Sequence, residues 1–194
     1  DIAQASGAIQ DISENHKNEQ IYLLTTKPYL ELFKKNPFIH EIILDKRLPK
    51  YNLIYLYLLM RELKKYKFTK VFDLQNSSRT KFYKNILYPK ANHEIWSSSE
   101  TTLPTDIEKN EFDKNSVLER FNHQLKTSGL NTTNTLKPNF SWASTNISEI
   151  KNYYNLKKYI LLFPFCSSHL SLKKWPYYND LIQFILNKFG DEYK

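Results

Sequence analysis

Glycine is nearly absent: Gly7, Gly129 and Gly190 are the only three in 194 residues. A Gly-x-Gly-x-x-Gly or Walker-type loop is therefore excluded within this sequence, because both need glycines a few positions apart. Cysteine occurs once, at Cys166, which excludes an internal disulfide. No Cys/His cluster has zinc spacing, so no metal site is expected. No apolar run approaches the roughly 18 residues of a spanning helix, and no signal-peptide pattern opens the chain, so cytoplasmic residence is the expectation. His16, His40, His93 and His123 stand alone, and no Ser-His-Asp arrangement follows from their spacing.

Net charge is +8, yet the lysines are scattered and no recognised nucleic-acid motif accompanies them. The expected partners therefore do not include nucleic acid. An anionic membrane surface or a phosphorylated acceptor suits the charge better. The composition, 41% hydrophobic and 25% charged, is that of a globular chain long enough to bury a sizeable core.

Apolar spacing gives a β-α rhythm. Ile2, Ala5, Ala8, Ile9 and Ile12 share a helical face, so Asp1 sits at a helix N-terminus, where a carboxylate is favoured. Strands are expected at 21–24, 41–44, 70–73 and 93–96, and helices at 28–35, from Leu53 to Leu63 and at 79–87. Alternation of this kind argues for a parallel sheet covered by helices, with ligands at the strands' carboxyl ends. Asp1, Gln75, Asn76, Ser77, Ser78 and Arg79 should gather there. Read structurally, Asp1 caps a helix, Asp73 and Gln75 finish a strand, and Ser77 and Ser78 cap the next helix. Residues 97–110 are polar and lack periodicity, as suits a loop over the cleft or a disordered excursion. Asp113 is placed to cap a helix running through Val117, Leu118, Phe121 and Leu125 to Gly129. Residues 131–144 have the composition of a linker, and a helix at about 147–154 follows.

The stretch Tyr159–Phe189 is the most informative. Tyr159 to Phe163 is a continuous apolar run of the kind a doubly covered strand needs. Pro164 ends it. From Tyr178 onward, Leu181, Ile182, Ile185, Leu186 and Phe189 recur at helical spacing, with Pro176 suited to the first turn and Gly190 to the C′ position. The intervening loop feeds a helix N-terminus and offers Ser167, Ser168, His169, Lys173 and Lys174 to an anion. An ordinary strand-to-helix connection with solvated lysines is the plain alternative.

Pro164-Phe165-Cys166-Ser167-Ser168 followed by Lys173-Lys174-Trp175-Pro176 resembles the opening of the second domain in the heptosyltransferase family, glycosyltransferase family 9. Phe165-Cys166 stands where that family has Gly-Ala. Asp1 to Ile9 resembles the family's N-terminal segment entered at its aspartate. Val71-Phe72-Asp73-Leu74-Gln75-Asn76-Ser77-Ser78-Arg79 resembles its Asp-Leu-Gln strand end, and Glu119-Arg120 its Glu-Arg pair. The resemblance implies an α/β fold of GT-B type: a Rossmann-like parallel-sheet domain at 1–130 with its first strand missing, a linker and connecting helix at 131–157, and at 158–194 the first β-α unit of a second Rossmann-like domain. The sequence reads as a piece cut at both ends, which by itself would be inactive.

The implied activity is inverting, metal-independent and cofactor-free transfer of heptose from ADP-heptose to the lipopolysaccharide inner core. It would occur at the cytoplasmic face of the inner membrane. Asp1 would be the catalytic base, Ser167, Ser168 and Lys173 would bind the donor diphosphate, and Gln75, Arg79 and Arg120 would bind the lipid-linked glycan acceptor. Two rivals keep the fold: a transferase of another nucleotide-diphosphate sugar onto a surface glycan, and a non-catalytic binding protein.

Overall fold

A computed structural model describes residues 2–166, 168–190 and 192–193, leaving aside the side chains of Ser168 and His169. The chain forms two compact units, residues 1–144 and 145–194.

The first unit is α/β. In chain order it contains α1 (Ile2–Asn15), β1 (Tyr22–Thr25), α2 (Lys27–Phe33), β2 (Glu41–Leu44), α3 (Leu53–Lys65), β3 (Val71–Phe72), α4 (Ser78–Leu87), β4 (Trp96–Ser97), α5 (Lys109–Phe112) and α6 (Val117–Thr127). Side chains on a strand alternate between faces, and here the alternation divides the apolar residues into two cores. Leu23, Ile42 and Phe72 pack with Ala8, Ile9 and Ile12 of α1 and with Phe121 and Leu125 of α6. Their sequence neighbours Leu24, Ile43 and Val71 pack with Leu56, Met60 and Leu63 of α3 and with Tyr83 of α4. The strands are thus covered on both sides, as their nearly unbroken apolar sequences require.

The strands form two separate parallel ladders, β1 with β2 and β3 with β4, where the sequence suggests one sheet. Successive backbone groups on a strand point to opposite edges. On β1 the carbonyl of Thr25 accepts from Asp45 N–H at 2.7 Å, and on β3 the N–H groups of Val71 and Asp73 each donate at 2.8 Å to Ile95 and Ser97. Alternation therefore turns the N–H and C=O of Leu24 and of Phe72 toward the opposite edges. Both edges border one cleft of about 990 Å3, also lined by Ile2, Ala5, Ile9 and Ile12 of α1.

The compositional linker at 131–144 belongs to the first unit. It is held by Asp11, which has no solvent exposure. The Asp11 carboxylate accepts from the N–H groups of Thr133 (3.1 Å), Asn134 (2.9 Å) and Thr135 (2.7 Å), and from the Thr135 hydroxyl (2.5 Å) and Asn134 Nδ2 (2.8 Å). Burial pushes its pKa up, but the hydrogen bonds from Thr135, Asn134 and Thr133 outweigh it and hold the carboxyl below its ordinary range. Gly7 makes the close approach possible, since a Cβ there would lie 2.2 Å from the Asn134 carbonyl oxygen. The linker-like composition concealed this because Thr and Asn, frequent in linkers, are also the residues that can wrap a carboxylate.

Two local expectations are corrected. α6 is capped by Ser116, not Asp113: Ser116 and Glu119 form a capping box, while Asp113 ends α5. The last strand of this unit is 96–97 where 93–96 was expected. Residues 98–108 are loop, in keeping with one of the two alternatives for 97–110; Ser98, Ser99 and Thr102 are buried, and Ser99 lines the cleft.

The second unit holds α7 (Ser148–Tyr153), a 3-10 segment at Ser168–Lys173 and α8 (Tyr178–Phe189). Tyr159 to Phe163 forms no strand there, and Leu161 and Phe163 are 68% and 75% exposed. A parallel strand needs a neighbour to satisfy its ladder groups, and no other strand occurs among the described residues of this unit. Gly190 is not in the left-handed C′ conformation expected of it, having φ −61, whereas Gly129 beyond α6 has φ +83.

Asp11→Ala should cost about 3–5 kcal/mol in urea unfolding, because it strands several buried N–H donors. Gly7→Ala should weaken the same contact by forcing the backbones apart. Because the folded pKa of Asp11 lies below its unfolded value, its contribution should be complete above about pH 4 and disappear as pH falls through the folded pKa. An Asp11→Ala protein as stable as the parent would contradict this account.

Candidate functional site

The cleft in the first unit collects residues that are far apart in sequence. Gln75, Arg79 and Arg120, the three expected acceptor ligands, all line it, together with Asp45, Asp73 and Asn76. Local folding explains the cluster. Asp73 Oδ1 accepts from Gln75 N–H (3.0 Å) and Asn76 N–H (2.9 Å), turning the chain as it leaves β3. Asn76 takes φ +50 and its Oδ1 accepts from Ser99 N–H at 2.7 Å. Ser77 then caps α4 in a reciprocal pair with Thr80, as the serine-rich sequence suggests, which puts Arg79 in the helix's first turn.

Arg79 is committed to the protein. Both terminal nitrogens donate to the Leu48 carbonyl, Nε lies 3.8 Å from Asp45 Oδ2, and the guanidinium sits 5.8 Å from the Tyr83 ring centroid. Asp45 is buried and accepts from Tyr55 OH (2.5 Å), Tyr83 OH (2.8 Å) and Arg47 N–H (2.7 Å). Burial, then the hydrogen bond to Asp45, pushes Tyr55 up to about 12, and the same causes raise Tyr83. Arg120 donates to Asp113 at 3.2 Å. Lys109 pairs with the other oxygen of Asp113, and that contact is the larger cause of the Asp113 pKa lying below its ordinary value.

Asp73 differs from the other carboxylates. Burial raises its pKa against the opposing hydrogen bonds. From its position in the sequence, Asp73 reads only as the end of a strand. The Asp45–Tyr55–Tyr83 cluster was not anticipated at all, since separations of 10 and 38 residues carry no periodic signal; the only hint was an aspartate directly after the apolar strand 42–44.

Asp1 and Ser167 fall outside the described residues, as does the side chain of Ser168. In the second unit Lys173 is exposed and ends the 3-10 segment. Trp175 packs edge-on against Tyr178 at 5.3 Å, and Tyr178 OH donates to the Phe163 carbonyl at 3.0 Å, so the start of α8 is anchored to the apolar segment before the loop.

No family model, curated protein or solved structure was found to match this chain.

Tyr83→Phe should cost about 1.5–3 kcal/mol, the usual range for a hydrogen bond to a charged group. Tyr55 must stay protonated to donate, so its contribution should be complete below its ordinary pKa near 10 and be lost as pH rises toward 12. Unfolding curves of parent and Tyr55→Phe at pH 8 and above pH 11 check this: the gap between the two should narrow at the higher pH.

Proposed function

We propose that this chain is the acceptor-side domain and the opening of the donor-side domain of an inverting GT-B glycosyltransferase. The reading favours ADP-heptose as donor and the lipopolysaccharide inner core as acceptor. The observation that carries it is that Gln75, Arg79 and Arg120 line one cleft, which runs along β1 and β3 and past the carboxyl end of β3, beside a strand end that resembles the family's Asp-Leu-Gln motif. Ligands of open parallel sheets bind at that edge.

The Rossmann-like form of the first domain draws support from the cleft itself. Leu24 of β1 and Phe72 of β3 turn their backbone N–H and C=O groups toward that cleft, where a further parallel strand could pair with both. Such a strand would complete the order β2-β1-strand-β3-β4. Lengthening the chain ahead of Asp1 by a short turn and an apolar Val/Ile strand should raise Tm by several degrees. The same extension with alternate prolines, which cannot donate to a ladder, should not. Equal Tm values for the two extensions would refute the open strand position.

In the proposed reaction Asp1 takes the proton of the acceptor hydroxyl, the freed oxygen bonds to the anomeric carbon from the opposite face, and the bond to the diphosphate breaks. Ser167, Ser168 and Lys173 receive the departing diphosphate, and hydrogen bonds to its oxygens lower the barrier. Gln75, Arg79 and Arg120 orient the acceptor glycan, Arg79 from a fixed position and Arg120 after release from Asp113. In the protein at its natural length, Asp1→Asn should reduce kcat by about 10²–10⁴ with donor affinity little changed. Mass analysis of truncated lipopolysaccharide after incubation with ADP-heptose tests the substrate. Transfer from a different nucleotide-diphosphate sugar would support the rival donor, and binding without any transfer would support the non-catalytic reading.

A further inference from the structure

α3 is apolar on both faces over its first two turns. Leu56, Leu59, Met60 and Leu63 are buried in the core. On the outer side Leu53, Ile54, Tyr57 and Leu58 are 72%, 76%, 66% and 54% exposed, and Tyr51, just before the helix, is 84% exposed. A helix apolar all round is normally buried all round, and contiguous exposed apolar side chains of this size mark an interaction surface. The rest of the segment is basic. Lys46, Arg47 and Lys50 lie exposed in the loop before the helix, and Arg61, Lys64 and Lys65 are exposed on its last turns. Against these six cations stand Asp45, which is buried under Tyr55 and Tyr83, and Glu62, which is paired with Lys65 at 2.5 Å.

We infer that this face docks on an anionic lipid bilayer. Ile54, Tyr57 and Leu58 would enter the headgroup and acyl boundary while the flanking lysines and arginines meet the lipid phosphates. Both halves of the pattern are needed by a helix lying in the membrane interface: apolar side chains that gain by leaving water, and cations attracted by the negative surface potential. Charge selects the occupant. A second copy of this chain would bring the same six cations against the first six and be repelled, whereas an anionic surface is complementary. The inference stands apart from the transferase reading, since vesicle binding requires no sugar transfer.

Sedimentation of the 194-residue chain with sucrose-loaded vesicles tests it. Phosphatidylcholine vesicles containing about one-third phosphatidylglycerol should pull the chain down, with binding weakened by about 0.5 M salt and by omission of the anionic lipid. The double change Ile54→Ser with Leu58→Ser should weaken partitioning at least tenfold, and Lys50→Gln with Lys64→Gln should remove much of the preference for anionic lipid. These side chains are exposed, so circular dichroism should match the parent for both variants. Failure of the parent to bind anionic vesicles, or equal binding by the Ile54/Leu58 variant, would overturn the inference. So would a dimer in light scattering that the same variant dissociates and that shows no vesicle binding, since the face would then be a self-interface.

Discussion

Asp11 is a carboxylate without solvent access, and the side of the first unit on which it lies is arranged to keep it ionised. An unpaired charge at that depth would cost several kcal/mol. Three consecutive backbone N–H groups from Thr133 to Thr135, with the side chains that flank them, supply what water would otherwise provide. The consequence reaches beyond the carboxylate. It ties the segment after α6 back onto α1, excludes a side chain at Gly7 and makes Thr135 one of the most deeply buried residues in the chain. α1 presents Ile9 and Ile12 to the core from a position fixed partly by this contact.

A second buried carboxylate, Asp45, organises the opposite side. It joins the end of β2 to α3 through Tyr55 and to α4 through Tyr83, and it draws Arg79 inward. The cleft therefore has a wall held together by Asp45 where the two ladders end, and Gln75 and Arg120, the latter paired with Asp113, also line it. Asp73 shares the neighbourhood but has a different proton affinity, because its hydrogen bonds do not offset its burial as those of Asp11 do. Burial pushes the pKa of both aspartates up, and only at Asp11 do the hydrogen bonds outweigh it.

The unpaired edges of β1 and β3 and the exposed front of α3 are features of the same layered arrangement. Helices on both faces let the strands be apolar throughout. That cover extends over the cleft between the ladders as well as over the strands. α3 fulfils its covering role with one face only, and the surplus apolar side chains on its outer face have no partner within the first unit.

The sequence by itself determined the kind and order of the elements in the first unit, save for the short helix α5, because strand alternation and helical spacing are local and the caps at Ser77 and Gly129 announce themselves within four residues. It also determined that Gln75 and Arg79 follow a strand end. Tertiary structure alone decided that residues 131–144 belong to this unit, that the strands form two ladders with open edges, that Asp45 is sealed by two tyrosines, and that Tyr159–Phe163 forms no strand. Each of these depends on a partner distant in sequence: a carboxylate more than a hundred residues away, a neighbouring strand's N–H groups, or the lack of any neighbour to pair with. Periodicity records which face of an element is apolar. Only the fold decides what, if anything, covers that face.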